Sequence, residues 1–86
     1  MYQVVLSPGV EKFLDRIHKS DRRLFRRLIK ALDGLTQNPY VAKSLVAGLA
    51  QYYSYRVRDY RIIFEIDRSK SAVYVEKIAH RSVAYK

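Results

Sequence analysis

The chain has 86 residues, no cysteine, and 17 Lys and Arg residues against eight Asp and Glu, which gives a net charge of +9. This length predicts a single domain over residues 1–86, and the lack of cysteine excludes a disulfide framework and thiol chemistry. So large a positive charge favours an acidic partner, such as nucleic acid, an anionic surface or an acidic protein.

The sequence predicts a cytoplasmic protein without a membrane segment, a metal or a cofactor. No apolar run approaches the ~18 residues of a membrane span, and the N-terminus lacks the regions of a signal peptide. His18 and His80 are far apart in the sequence, and without cysteine they form no metal-ligand set. No glycine-rich phosphate loop is present.

The first half of the chain predicts a strand over residues 2–6 followed by a helix. Ser7 and Pro8 suit the N-cap and the first helical position. Apolar residues then recur at spacings of three and four, which is typical of a helix with one buried face. This first stripe comprises Val10, Phe13, Leu14 and Ile17.

A second basic helix is predicted to begin after Ser20 and Asp21. It ends at Asn38, because the residue before Pro39 avoids the helical region. Its apolar stripe comprises Leu24, Leu28, Ala31, Leu32 and Leu35, widened by Phe25 and Ile29. Its other side carries Arg22, Arg23, Arg26, Arg27 and Lys30, which we interpret as a solvated face that also attracts RNA.

The second half predicts a connection over residues 40–51 and then three strands. The strands cover roughly residues 53–57, 60–66 and 72–78, with a polar turn over 67–71. The order β-α-α-β-β-β predicts an α+β fold, in which two N-terminal helices pack on a small, mostly antiparallel four-stranded sheet.

A two-residue turn at Arg58 and Asp59 would place Arg56 directly opposite Arg61. Like charges in a cross-strand pair are unfavourable. We therefore interpret the pair as a site where an anion lies between the two guanidinium groups. Three more candidates follow at the end of the next strand, namely His80, Arg81 and Tyr85.

The chain resembles the RelE/ParE superfamily of toxins from toxin–antitoxin systems. The resemblance covers nearly the whole chain and is carried chiefly by YRVRDYRIIF and by the ending IAHRSVAYK. It implies the RelE-like fold and a cognate acidic antitoxin as partner. RelE-type members cut messenger RNA in the ribosomal A site, whereas ParE-type members poison DNA gyrase.

Carried over residue by residue, the resemblance implies a phosphate-binding group made of Arg56 and Arg61, with Arg81 nearby. Tyr85 matches the C-terminal tyrosine of the family. Two positions depart from the family pattern: Ser54 stands where some relatives carry a lysine, and Arg58 where many carry glycine. The glycine of those relatives suits a tight turn with positive φ, so the turn type at Arg58 stays open.

The chemistry of RNA cleavage fits these residue types. The 2′-hydroxyl attacks its own phosphate, and the planar fork of arginine pairs with two phosphate oxygens at once. His80 is a candidate for proton transfer, and Tyr85 for base stacking or proton donation. Further candidates for contacts with RNA are Arg58, Lys77 and Lys86.

Each of these candidates also has a structural interpretation. Arg56 and Arg61 could be solvated strand residues paired with Glu65 or Asp59. His80 could pack its ring, and Tyr85 could be a hydrophobic clasp. For the whole protein, two alternatives to an RNA-cleaving toxin stay open, a ParE-like gyrase inhibitor without catalysis and a basic RNA-binding module.

Overall fold

The computed structural model describes residues 1–44 and 52–82. For Lys43 and Ser44 it describes only the backbone. The helices are α1 (Pro8–Ser20) and α2 (Arg22–Gln37), followed by a short 3₁₀ helix (Pro39–Val41). The strands are β1 (Gln3–Leu6), β2 (Lys43–Ser44), β3 (Tyr52–Val57), β4 (Tyr60–Asp67) and β5 (Ala72–His80).

The strands form one sheet in the order β1-β5-β4-β3-β2. β1 lies parallel to β5, and every other neighbouring pair is antiparallel. The predicted order of two helices and four strands is confirmed. The structure adds the two-residue strand β2 and the 3₁₀ helix in the stretch predicted as a connection. It also extends the last strand to His80, whereas the sequence predicted an end near Ile78.

A side-chain cap fixes the N-terminus of each helix. The hydroxyl of Ser7 accepts the Val10 N–H at 3.3 Å, and a carboxylate oxygen of Asp21 accepts the Leu24 N–H at 3.1 Å. Such caps satisfy N–H groups that have no partner within the helix. The predicted helix starts at Ser7 and Asp21 are therefore confirmed.

The core lies between the helical pair and one face of the sheet, as the two apolar stripes predicted. Its buried members from the helices are Val10, Leu14, Ile17, Leu24, Leu28, Leu32 and Leu35. Those from the sheet are Val57, Ile62, Phe64, Val73, Val75 and Ile78. Within the described residues, the helices are too short and too polar to cross a membrane.

Aromatic rings close the core at one end of the sheet. The ring of Tyr53 stacks on Phe64, with centroids 5.8 Å apart and an angle of 14° between the planes. Tyr40 meets Tyr53 and Tyr2 edge-on at 6.1 and 6.2 Å. A side-chain hydrogen bond to Tyr40 raises the pKa of Tyr2. The Tyr53 ring therefore has a packing role against the core.

A β-bulge interrupts the pairing of β4 with β5. Phe64 pairs with Val75, but its neighbour Ile63 pairs with Lys77, so that Glu76 is an extra residue. The hydroxyl of Ser7 donates to the Glu76 carbonyl at 3.0 Å. A bulge of one residue reverses the faces to which the following side chains point.

Two turn residues adopt the left-handed conformation. Arg58 has φ 55° in the β3–β4 turn, and Ser71 has φ 48° in the β4–β5 turn. The second turn is further fixed by Asp67, whose carboxylate accepts the Ser69 hydroxyl at 2.7 Å and the Lys70 N–H at 3.2 Å. The Ser69 hydrogen bond lowers the pKa of Asp67.

The positive φ of Arg58 leads to a stability prediction. A side chain in the left-handed region costs about 1 kcal/mol, which glycine avoids. We therefore expect the free energy of unfolding of Arg58→Gly to be about 1 kcal/mol higher than that of Arg58→Ala. Both variants lose the same charge, so the comparison isolates the effect of the backbone conformation. Urea unfolding measures the difference, and an alanine variant at least as stable as the glycine variant would contradict this prediction.

Candidate functional site

The β3–β4 hairpin places the two arginines opposite each other, as predicted. Val57 pairs with Tyr60, Arg56 with Arg61 and Tyr55 with Ile62. Cross-strand partners point to the same face of a sheet. Because Tyr60 and Ile62 belong to the face packed on the helices, Arg56 and Arg61 lie on the opposite face, which we call the outer face.

Hydrogen bonds draw the two guanidinium groups in opposite directions along the hairpin. Arg56 Nε donates to the Arg58 carbonyl at 3.2 Å, toward the turn. Arg61 Nη1 donates to the hydroxyl of Ser54 at 3.4 Å, away from the turn. The protein thus separates the like charges with its own polar groups.

A pocket of about 300 Å³ lies over this pair. Ser54, Arg56 and Arg61 line it from the hairpin. Val41 and Ala42 line it from the segment before β2, and Tyr55 completes the lining. We call this the arginine pocket. Its two guanidinium groups can donate several hydrogen bonds to one phosphate, while its apolar wall can contact an adjacent group.

Two more arginines lie at the turn end of the hairpin. Arg58 is an exposed turn residue, and the Arg81 N–H donates to the Asp59 carbonyl at 2.7 Å. Arg81 is therefore fixed beside the turn by its backbone. Lys77 is exposed and pairs with Ile63, so it shares the outer face with Arg61 at a diagonal position. These five cations can contact successive phosphates of a nucleic acid strand.

His80 lies on the other face of the sheet. It pairs with Tyr60, and the two rings meet edge-on with centroids 5.4 Å apart. Its Nδ1 accepts the Ser82 N–H at 3.3 Å and lies 3.0 Å from the Ser82 hydroxyl. With Asp21, Leu24, Arg58, Asp59 and Tyr60, it lines a separate pocket of about 210 Å³. The structure therefore does not bring His80 together with the arginine pair.

Tyr85 and Lys86 lie outside the described residues. Within residues 1–44 and 52–82, no three His, Asp or Glu side chains are grouped closely enough to hold a metal ion.

Sequence reasoning missed two features of this site. Ser54 is only 5% exposed, although it belongs to the outer face, and it is a hydrogen-bond partner of Arg61. The available sequence signal was that Ser54, a small polar residue, lies on the same predicted strand as Arg56. Val41 and Ala42 were placed in an unassigned connection, so no local pattern could bring them to the pocket.

Comparisons with known proteins agree with this architecture. The family model described as the ParE toxin of the type II toxin–antitoxin system, parDE, matches residues 4–85. A protein of Methanocaldococcus jannaschii named "Putative toxin RelE4" is 24% identical, and the match covers 100% of this chain and 93% of that protein.

Solved structures share the fold along nearly the full chain. The RelBE2 toxin–antitoxin complex of Mycobacterium tuberculosis contains a chain that is 27% identical, with a TM-score of 0.78. The match covers 93% of this chain and 98% of that one. A chain in the RelE–RelB complex of Pyrococcus horikoshii is 22% identical, with a TM-score of 0.78 and coverage of 96% and 98%.

The opposed arginines lead to a second stability prediction. Like charges directly across an antiparallel pair cost about 0.2–1 kcal/mol. We expect Arg56→Gln to raise the free energy of unfolding by a similar amount at low salt, and the gain to shrink at high salt because salt screens exposed charges. Lys77→Gln is the control, since Lys77 faces Ile63. Equal effects of both variants in urea unfolding would contradict a specific repulsion between Arg56 and Arg61.

Proposed function

We propose that this chain, which belongs to the ParE toxin family of type II toxin–antitoxin systems, is a toxin of the RelE type that cleaves messenger RNA in the ribosomal A site. The observation that supports this most is the arginine pocket. Two opposed guanidinium groups share it with a buried hydroxyl, and two further arginines lie at the same end of the hairpin. A structural role alone does not require like charges to face each other.

In the proposed reaction, the 2′-oxygen of one nucleotide attacks the adjacent phosphorus. A new P–O2′ bond forms, the P–O5′ bond breaks, the 2′-hydroxyl loses a proton and the leaving 5′-oxygen gains one. The transition state carries extra negative charge on the phosphate oxygens. Arg61 and Arg56 would neutralise that charge, while Arg81 and Arg58 would hold neighbouring phosphates.

The proton transfers are assigned to the C-terminal segment. Tyr85 stays a candidate for proton donation or base stacking, as the family resemblance implies. His80 faces the helices and bonds to Ser82, so we assign it a positioning role, in which it orients the segment that leads to Tyr85. Lys77 and Lys86 would contribute contacts with RNA phosphates on either side of the cut.

The proposed partners are messenger RNA in the ribosomal A site and a cognate acidic antitoxin. The net charge of +9 suits both partners. We propose a cytoplasmic location, because ribosome-bound message and an antitoxin of this kind are found there. The proposed reaction needs no metal ion, since arginine supplies the positive charge.

A ParE-like toxin that inhibits DNA gyrase is the second candidate. The matching family model, which describes the ParE toxin of parDE, favours it. A gyrase inhibitor acts by binding a protein, so its activity would not depend on arranging two guanidinium groups around one phosphate. Loss of the arginine pair therefore separates the two candidates.

We expect Arg61→Ala and Arg56→Ala each to lower the rate of message cleavage on programmed ribosomes by about 10²–10³-fold, because each loses a charge-assisted contact to the transition state. Lys12→Ala is the matched control, since it removes one exposed charge from α1, away from the pocket. Single-turnover cleavage measures the rates. Gyrase-dependent DNA breaks without cut messages, or full growth inhibition by a folded double alanine variant, would exclude the proposed reaction.

Removal of residues 83–86 should abolish cleavage and leave the fold stable, because the buried residues of the helices and the sheet pack against one another between Val10 and Ile78. Tyr85→Phe separates two roles of the tyrosine. Base stacking on an aromatic ring is worth roughly 1–3 kcal/mol and survives that change, whereas proton donation does not. The same single-turnover assay applies to both variants. A truncated protein that cuts at the normal rate would assign the reaction to the hairpin arginines alone.

A further inference from the structure

A row of side chains crosses the outer face of the sheet beyond the arginine pair. Glu65 of β4 pairs with Tyr52 of β3 on one side and with Tyr74 of β5 on the other. Cross-strand partners point to the same face of a sheet. Glu65 also lies four residues after Arg61 on the same strand, so the row shares the outer face with the arginine pair. We call Tyr52, Glu65 and Tyr74 the tyrosine row.

The two tyrosines of this row differ from the tyrosines that pack on the core. Tyr53, Tyr55 and Tyr60 pack against the core on the helical side, whereas Tyr52 and Tyr74 belong to the opposite face and are half-buried. Side chains on a strand stand roughly perpendicular to the sheet. The two rings therefore border the carboxylate between them, and the strands that carry them are about 10 Å apart. This spacing leaves room for one planar ring to stack against either tyrosine.

The carboxylate of Glu65 is the unusual member of the row. Within residues 1–44 and 52–82, it forms no hydrogen bond or ion pair, and Arg61 donates to the hydroxyl of Ser54. Asp67, the next acid on this face, differs because its carboxylate accepts hydrogen bonds within the β4–β5 turn. A negative charge on a face that carries cations opposes the binding of phosphate. The position of Glu65 therefore indicates a ligand group that donates hydrogen bonds.

Glu65 lies far enough from the arginine pair to be compatible with a bound phosphate. Four residues of antiparallel strand span about 14 Å, which exceeds the Debye length of about 8 Å at physiological salt. A phosphate between Arg56 and Arg61 is therefore largely screened from the carboxylate. Lys77 faces Ile63, midway between the two positions, and can hold the phosphate of an intervening nucleotide.

A nucleobase offers both groups that the tyrosine row can bind. Its flat ring stacks on tyrosine, and its edge carries N–H donors for a carboxylate. A carboxylate has two acceptor oxygens. Guanine alone among the RNA bases presents two adjacent donors on its Watson–Crick edge, namely N1–H and the N2 amino group. The chemistry of the row therefore favours guanine over the other bases.

We infer that the tyrosine row is a nucleobase subsite that selects guanine near the cut, with Glu65 as the specificity-determining residue. This inference rests on the proposed function, in that it names the RNA sequence that the same face prefers. The selected guanine belongs to a different nucleotide from the one whose phosphate lies in the arginine pocket, because the two positions are about 14 Å apart.

The test measures binding of the full chain to short fluorescein-labelled oligoribonucleotides in which every 2′-hydroxyl is methylated, so that cleavage does not interfere. The first contains uracil only, and the second carries a single central guanine. In the third, inosine replaces this guanine, which removes only the N2 amino group. In the fourth, 7-deazaguanine keeps both donors and changes the opposite edge of the base. Fluorescence anisotropy gives the four affinities.

We expect the guanine and 7-deazaguanine oligonucleotides to bind about tenfold more tightly than the inosine and uracil oligonucleotides. This is the effect of one hydrogen bond to a charged group. Glu65→Gln should remove the preference and leave the affinity for the uracil oligonucleotide unchanged, because it keeps the size of the side chain but loses its charge and one acceptor. Asp15→Asn is the matched control, since it removes one carboxylate from an exposed position of α1.

Tyr74→Leu should weaken binding of every oligonucleotide by about fivefold, and Tyr74→Phe should not, because stacking needs the ring but not the hydroxyl. Urea unfolding verifies that all variants fold. Equal weakening by Tyr74→Leu and Tyr74→Phe would overturn the stacking role. Equal guanine preference in Glu65→Gln, Asp15→Asn and the unmodified protein would overturn the subsite, as would equal affinities for guanine and inosine.

Sequencing of message ends after cleavage gives a second measurement. Glu65→Gln should remove an enrichment of guanine at a fixed distance from the cut without lowering the total rate of cleavage. Enrichment that survives in this variant would overturn the role of Glu65. If the binding results hold and the unmodified protein cuts no message, the proposed reaction fails while the nucleobase subsite stands.

Discussion

The bulge at Glu76 is the constraint that decides on which face of the sheet Lys77, Ile78 and His80 lie. Before it, Val73 and Val75 of β5 point into the core; after it, Ile78 does. Without the extra residue, the alternation would send Lys77 into the core, where an unpaired charge is strongly unfavourable. The hydroxyl that holds the Glu76 carbonyl belongs to Ser7, which also caps α1. One side chain thus connects the start of the helical layer to the strand position that decides which residues of β5 face the outer side of the sheet.

The same bulge explains where prediction from sequence succeeded and where it ended. The hairpin register followed from a two-residue turn and period-two alternation, so the opposition of Arg56 and Arg61 was available from local pattern alone. The face of the sheet on which His80 lies could not be predicted in this way, because it depends on the extra residue within β5. The sequence does carry a signal, since the apolar spacing changes from two to three between Val75 and Ile78. The contributions of Val41 and Ala42 come from tertiary packing around a connection, for which no local periodicity exists.

Two features of the hairpin oppose folding stability and both lie at the candidate site. Arg58 takes a positive φ that a side chain disfavours, and Arg56 faces a like charge. Local conflicts of this kind are expected at functional positions, because the rest of the fold stabilises them. The caps at Ser7 and Asp21 and the stacked Tyr53 and Phe64 rings supply that stability elsewhere. The strain and the repulsion therefore support a functional interpretation of the hairpin, because a strand that only faces solvent would need neither of them.

Two cavities meet at Arg56, whose side chain lines both of them. One is the arginine pocket on the outer face, and the other is a groove between α2 and β3 in which Arg27, Lys30 and Arg58 surround apolar side chains. Arg56 lies at the edge of the sheet, just beyond the point where β2 pairs with Tyr53 and Ser54. From Tyr55 to Val57, β3 lies beside α2 and lines the groove, and Arg56 lines the arginine pocket as well. A strand that continued the pairing from Ser54 to Arg56 would cover this edge and separate the two cavities. The end of the pairing at Ser54 therefore leaves one arginine open to both cavities.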